Sequence, residues 1–581
     1  LPTIARDRTI DLSAAVARYQ QVLAADPDQW DALYLYGTAL LQLGRLPEAI
    51  DVFTRAARLR PDIPDVQNNL AVAYQGVGEV DAAVRAYRSA IDLNPEFDLA
   101  HANLARLLES GRRFAEAEIS LRRALRIKPA ESAYHLQLAR VLQRQEKDAE
   151  AIAVLQGTLR QQPACLDAMM ALAAALVRQE RLDEAADVYR AALAERPDFA
   201  EAAGSLAFVL ECQGRLDEAL AEAERAVALK PDYAESFNNL GVVLRSLHRL
   251  DDACAAFRRS LELSPQFALT EFNLGTTLLL AGRYAEGWPG YRQHARIAGT
   301  SAPGPAMTEW DGRLIPGQRL LVYADQGLGD TIQFVRFLSP CREKSQARVT
   351  VRCQPALRRL LDDCRREDSP GADVVYTNDD ELPQFDWHVP VASLPGLLGA
   401  TIADVGQSVP YLHPPDLSPR LARLIGERDA ALRVGLVWQG NPRQTRDVVR
   451  SCPLEKLRPL IELPGIRFFS LQYGPAAHAQ LAAAFPAGSV VDVGGRLADF
   501  ADTAAVLGQL DLLITVDTAI AHLAGALGRP VWTMLCHTPD WRWHLDRADC
   551  PWYPTTRLFR QPVWGDWDTV VDQIRGALQT V

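Results

Sequence analysis

Residues 61–94, PDIPDVQNNLAVAYQGVGEVDAAVRAYRSAIDLN, decide the first half of the chain, because the following stretch, PEFDLAHANLARLLESGRRFAEAEISLRRALRIK (95–128), repeats their pattern over an equal length. Outward from this pair the same proline recurs every 34 residues, at Pro27, Pro61, Pro95, Pro129, Pro163, Pro197, Pro231 and Pro265. A second register carries alanine at Ala49, Ala83, Ala117, Ala151, Ala185, Ala219 and Ala253; a third carries Leu70, Leu104, Leu138, Leu172, Leu206, Leu240 and Leu274. Small and large apolar positions therefore alternate within each unit, as two amphipathic helices packed closely through the alanine would require. The proline marks where one helix must end, and Gly44, Gly78, Gly111 and Gly214 fall where the chain turns between helices.

Composition sets the outer bounds. The 581 residues are 48% hydrophobic and 23% charged, which excludes a disordered chain and, at roughly 150 residues per domain, leaves room for three or four units. Sixty-two Lys and Arg against 73 Asp and Glu give a net charge of −11, which argues against nucleic acid or an anionic membrane held by bulk charge. No apolar run reaches the roughly 18 residues of a membrane span, and LPTIARDRTIDL at the start lacks the apolar centre of a secretory signal. The chain starts without Met, which is compatible with removal of an upstream segment. Nine scattered cysteines without a CxxC or a His partner at zinc spacing read as reduced thiols in a cytoplasmic protein without a metal site.

The first half resembles the tetratricopeptide repeat (TPR) family over about residues 11–295, with a half-repeat before Pro27 and a last unit in which Gly287 replaces the alanine. The resemblance implies an α-superhelix over 1–295 whose concave face binds proteins. Asn69, Asn103, Asn239 and Asn273 share one repeat position, with Asn68 and Asn238 beside two of them. A row of amides could hold an extended acceptor backbone independently of its sequence, or could bond neighbouring helices and organise the stack. The TPR part of O-linked N-acetylglucosamine transferases, which this half resembles, has such a row.

After Tyr291 the period is lost, and residues 296–318, rich in Gly, Pro, Ser and Thr, read as a linker. β-rich runs then alternate with helical stretches: 319–325, 347–353, 372–378 and 387–393, followed by 433–440, 466–472, 489–495, 512–518 and 530–536. Such runs predict parallel sheets covered on both faces, in two α/β lobes at 319–411 and 412–581 with a ligand cleft between their strand ends. In the first lobe Gly327 and Gly329 allow close backbone approach, and Asp330 lies at the start of a helix, where it could equally be a cap. The second lobe gathers Asn441, Arg443, Arg446, Arg450 and Ser451 in one loop, as phosphate oxygens favour, and places Asp517 or Thr518 at a helix start with His522 one turn on. Tryptophan is concentrated in this last lobe, where core packing is the first expectation.

GLGDTIQF (327–334), GLVWQGNP (435–442), RSCPL (450–454), VDTAIAHLAGALGRPVW (516–532) and PDWRW (539–543) resemble the TPR-linked relatives of the heptosyltransferase group of GT-B glycosyltransferases. That resemblance implies a twin Rossmann-like fold, Asp330 as general base, and Asp517, Thr518 and His522 holding the donor's phosphates and sugar. Ala519 stands where classical heptosyltransferases have Gly. The implied reaction is metal-independent, inverting sugar transfer from a nucleotide-sugar co-substrate, with no resident cofactor and with Gly327, Gly329, Asn441, Arg443, Arg450 and Ser451 adding to the donor site. The layout of the whole chain is similar to bacterial TPR-containing flagellin glycosyltransferases, which implies flagellin as partner, Ser or Thr as acceptor and a CMP-activated nonulosonic acid such as pseudaminic acid as donor. ADP-heptose, a UDP-N-acetylhexosamine or an inactive adaptor are the competing readings.

Overall fold

The computed structural model describes residues 12–298, 307–362, 372–377, 379–441 and 447–580. The chain forms two compact units, Leu1–Asp198 and Phe199–Val581.

The described residues of the first unit are helical throughout, eleven helices from Leu12–Ala25 to Leu182–Glu195. The alanine register is what lets them close up: Ala49, Ala83, Ala117, Ala151 and Ala185 are all fully buried in the first turns of their helices. A larger side chain there would push neighbouring backbones apart in an interior that has little free volume. The turn between the helices of each unit is a Schellman closure, in which the Arg45 N–H reaches the Leu40 carbonyl at 2.9 Å and the Arg113 N–H the Leu108 carbonyl at 2.8 Å. That closure needs one left-handed residue per unit, and it falls at 44, 78, 112, 146 and 180. Gly44 and Gly78 supply it without strain, whereas Arg112, Glu146 and Glu180 adopt φ of 59°, 61° and 55°. The turn glycine expected at Gly111 is thus corrected by one position: Gly111 has φ −81° and ends the helix, and Arg112 makes the turn.

The second unit opens with six helices of the same kind, from Ala200–Cys212 to Tyr284–Tyr291. Ala219 and Ala253 are again fully buried. In the last pair Gly287 takes the alanine place because the helices Ala268–Leu280 and Tyr284–Tyr291 meet backbone to backbone. A Cβ on Gly287 would lie 2.8 Å from the Gly275 carbonyl oxygen, and one on Gly290 2.3 Å from that of Glu271.

Two all-parallel sheets follow. The first contains β1 (Thr308–Glu309), β2 (Arg319–Tyr323), β3 (Arg348–Cys353), β4 (Val374–Thr377) and β5 (Trp387–Pro390) in the order β1-β5-β2-β3-β4. The second contains β6 (Leu432–Val437), β7 (Ile466–Ser470), β8 (Val490–Asp492), β9 (Leu512–Val516), β10 (Val531–Leu535) and β11 (Thr556–Arg560) in the order β11-β10-β9-β6-β7-β8. The latter is the doubly wound order, reversing between β6 and β9. All nine predicted strands form; β1 and β11 are additional.

The expected linker at 296–318 is corrected in part. From Thr308 onward the chain belongs to the first lobe: β1 pairs with β5, Trp310 is completely buried and Ile315 is 2% exposed. Two apolar anchors outweigh a turn-rich composition, because a buried Trp contributes several kcal/mol. The repeat end is not separable from that lobe either. Leu279, Tyr284, Trp288 and Tyr291 share one core with Trp310, Leu320, Phe334, Trp541, Trp552 and Tyr553. Among the described residues no helix is long and apolar enough to cross a membrane.

Candidate functional site

In doubly wound sheets the crevice opens at the carboxyl ends of the strands where the order reverses. In the first lobe this point lies between β5 and β2, so the chain leaving β2 forms one wall: Asp325, Gln326, Gly327 and the helix Leu328–Phe334. Gly327 is the N-cap, and Asp330, the third helical residue, accepts its N–H at 3.1 Å through Oδ2. Asp330 is therefore part of the helix start as well as a candidate base. Its other oxygen accepts from Arg542 Nη2.

In the second lobe the reversal lies between β6 and β9, and the loops after both strands form the other wall. After β6, a Cβ on Gly440 would fall 2.2 Å from Asp447 Oδ1. Only glycine fits because Asp447, 3% exposed, organises this loop: it accepts from Arg450 Nε at 3.0 Å and from the Ser451 hydroxyl at 3.1 Å. Ser451 in turn accepts the Gly440 N–H at 3.2 Å, and Asn441 is exposed. Arg443 and Arg446 lie outside the described residues.

After β9, Asp517 and Thr518 lead into the helix Ala519–Ala526. Thr518 occupies the N-cap, but its hydroxyl pairs with that of Thr515 at 3.1 Å and makes no cap bond, so it leaves the helix-start amides uncapped by a side chain. His522 is 6% exposed, stacks on Trp543 and has Nδ1 3.0 Å from the Tyr553 hydroxyl. Burial, reinforced by Arg542, Arg336 and Arg450, holds its imidazole well below the usual histidine range, so it is neutral at pH 7. Asp517 is pushed up to about 6 by burial and by Asp540, against the pull of Arg450 and Arg542.

The two walls touch. A Cβ on Gly329 would lie 2.8 Å from His522 Cδ2 and 3.4 Å from Ala519 Cα. The turn bearing Asp330 and the start of the helix after β9 are therefore in contact, and Gly329 and Ala519 meet where a larger pair would not fit.

Arg542 is the residue that sequence reasoning missed. Its side chain is 7% exposed and donates to Asp330, to Gln333, to Asp540 Oδ1 at 2.8 Å and to the Tyr291 hydroxyl at 3.1 Å. Its guanidinium lies over Trp541 and Phe334 at 4.5 and 5.3 Å. An arginine between two tryptophans in PDWRW was the available signal. Burial raises the Asp330 carboxyl and Asp540 and Asp325 add to the rise, while Arg542 and the Gly327 N–H oppose it; the net direction is upward.

The asparagine row is drawn into the stack. Asn103 and Asn273 are each 8% exposed, and their amide nitrogens donate to Asn68 Oδ1 at 3.1 Å and Asn238 Oδ1 at 2.9 Å. These two thus make the bonds between neighbouring helices that the sequence offered as the alternative to acceptor binding. Asn69 and Asn239 are half-buried, donating to the Tyr34 hydroxyl at 3.5 Å and the Gly204 carbonyl at 3.1 Å.

Tetratricopeptide-repeat models match residues 8–64, 68–132, 136–203 and 198–266. The model of glycosyltransferase family 9 (heptosyltransferase) matches 468–564. The chain is 26% identical over 324 residues to Protein FlbA of Caulobacter vibrioides, covering 52% of this chain and 53% of that protein. It thus spans about half the length of the curated relative it matches. Among solved structures, the C-terminal part of a TPR repeat-containing protein from Cytophaga hutchinsonii is 15% identical, covering 42% of this chain and 99% of that one with a TM-score of 0.36. A thermophilic TPR protein from Thermus thermophilus is 26% identical, covering 31% and 99% with a TM-score of 0.28. The chain carries tetratricopeptide repeats over 8–266 and, within 468–564, a glycosyltransferase domain of heptosyltransferase-like kind.

Proposed function

We propose that the chain transfers a sugar from a nucleotide-activated donor to a hydroxyl of an acceptor protein bound by the repeats, with Asp330 as general base. The observation that carries this reading is the contact of the Gly329–Asp330 turn with Ala519 and His522, which brings a carboxylate of raised basicity beside a helix start able to receive phosphate. The acceptor O–H would give its proton to Asp330 as its oxygen attacks the anomeric carbon and the bond to the nucleotide phosphate breaks with inversion. Charge on the leaving phosphate would fall on the amides at Ala519 and Ile520 and on Arg450, with neutral His522 fixing the helix beside it. Each such contribution is typically worth about 3 kcal/mol of barrier.

The finer assignment takes a CMP-activated nonulosonic acid as donor and Ser or Thr of flagellin as acceptor. It is supported by the resemblance in layout and by a guanidinium, Arg450, able to pair with a sugar carboxylate. Half-buried Asn69 and Asn239 are the members of the row offered to the acceptor.

The test is intact mass of flagellin co-expressed with the full chain or its Asp330→Ala variant in a host supplying the donor. A nonulosonic-acid increment reduced at least about 100-fold in the variant is expected. A heptose- or hexosamine-sized increment would replace the donor, modification of another captured protein would replace the acceptor, and no modification under verified donor supply would overturn glycosyl transfer.

A further inference from the structure

The end of the repeat array reaches the Asp330 turn by two routes. Tyr291, the last residue of the helix Tyr284–Tyr291, is 2% exposed; its hydroxyl donates to Gln326 Oε1 at 3.2 Å and accepts from Arg542 Nη2 at 3.1 Å. The same Nη2 donates to Asp330. His294, 5% exposed, has Nδ1 2.8 Å from the Tyr291 carbonyl oxygen and Nε2 bonded to Asp325 Oδ2, at the exit of β2. A carbonyl and a carboxylate both accept, so an imidazole placed between them is favoured with both nitrogens protonated. Burial opposes that charge, but Asp325 outweighs it and the His294 pKa is raised. The ring of Tyr291 holds a repeat position, the one occupied by Phe53, Tyr87, Leu121, Leu155, Tyr189 and Phe257, but its hydroxyl turns to Gln326 and Arg542 of the α/β lobe.

We infer that Tyr291 is a positioning residue for Asp330, acting through Arg542 and Gln326, so that the last repeat helix sets the geometry of the base. This rests on the reading of Asp330 as base. The groups facing Asp330 are Arg542 and Asp540 from the loop after β10, Asp325 on its own loop, Tyr291 and His294 from the repeat end, and neutral His522 across the contact at Gly329. Tyr291 divides the donors of Arg542 between itself and Asp330. Without its hydroxyl, Nη2 turns wholly to the carboxylate and holds it more tightly as the anion, making it a weaker base.

The experiment measures kcat, KM for the donor, and the pH profile of kcat in the full chain for wild type, Tyr291→Phe, Arg542→Lys and Asp330→Ala. Tyr291→Phe is expected to lower kcat about 5- to 50-fold with donor KM within about twofold, and to move the acid limb to lower pH. Arg542→Lys, which keeps the charge but not the fork, is expected to move that limb to higher pH. A Tyr291 that merely packs would lower the melting temperature and leave the limb in place. With Asp330→Ala inactive, an unmoved limb in Tyr291→Phe overturns the positioning role alone; should that variant fail to fold, an unmoved limb in Arg542→Lys overturns it. Activity retained by Asp330→Ala overturns the base and this inference together.

Discussion

In the first repeat unit side chains reach back one repeat, whereas around Asp330 they reach across much of the chain. Asn103 bonds to Asn68, 35 residues earlier, and Arg140 bonds to Glu109, 31 residues earlier. Arg542 bonds to Asp330, Gln333 and Tyr291 at separations of 212, 209 and 251. A repeat therefore depends on its neighbours and little else, while the α/β half depends on one cluster assembled from distant segments. Damage should stay local in the first and spread in the second.

The largest test of that contrast is Trp288→Ala. Trp288 is 3% exposed, donates Nε1–H to the Ala400 carbonyl at 2.8 Å and meets Trp541 edge-on at 5.5 Å. Its loss should cost about 3–5 kcal/mol. Hydrogen exchange should rise through 319–560, whereas Leu121→Ala in the first unit should raise exchange only in adjacent repeats. Spread in both variants, or in neither, would break the comparison.

A smaller effect sharpens the electrostatic side. Asp517 is pushed up to about 6, so the folded state holds its proton more tightly than the unfolded chain does. Stability tied to that proton is complete below about pH 4 and is lost as pH rises through about 6. Asp517→Asn should therefore be more stable than wild type by about 1–2 kcal/mol at pH 7.5, with partial solvent access and shared titration keeping the gain below the full linkage value. The advantage should shrink as pH falls towards 4 in parallel urea titrations. A constant difference across pH would mean that the gain is not the cost of ionising Asp517.

The smallest change lies in the array, at the left-handed turn positions. Glu180→Gly relieves a side chain at φ 55° where Gly44 and Gly78 already serve, and should stabilise the first unit by about 0.5–1 kcal/mol. The same change at Gln179, the neighbour one residue earlier with φ −92°, should destabilise it. Thermal unfolding of both variants separates turn relief from general flexibility.

Legibility in the sequence follows the same division. The repeat register, the buried alanines and nine of the eleven strands could be read directly, because period 34 in the first half and β-rich runs in the second each reflect local burial. β1 was hidden by its two-residue length and by a turn-rich context, and β11, TRLFR, by two arginines, Arg557 and Arg560, in a five-residue edge strand. Gly327, Gly329, Asp330, Asp517 and Thr518 stood out as strand-to-helix turns. Arg542 did not, since Asp330, Gln333 and Tyr291, which it holds, lie more than 200 residues away along the chain.

The sequence alone determined that one half is a repeat stack and the other a pair of parallel α/β lobes, because periodicity is a property of neighbours along the chain. Only the tertiary structure decided that two asparagines of the row are drawn into the stack, that His522 is buried and neutral, and that Tyr291 and His294 bond to Gln326 and Asp325 on the loop before Asp330. Those outcomes are set by which distant groups share one desolvated space, where a single guanidinium or imidazole is paired by whatever the fold brings within hydrogen-bond reach.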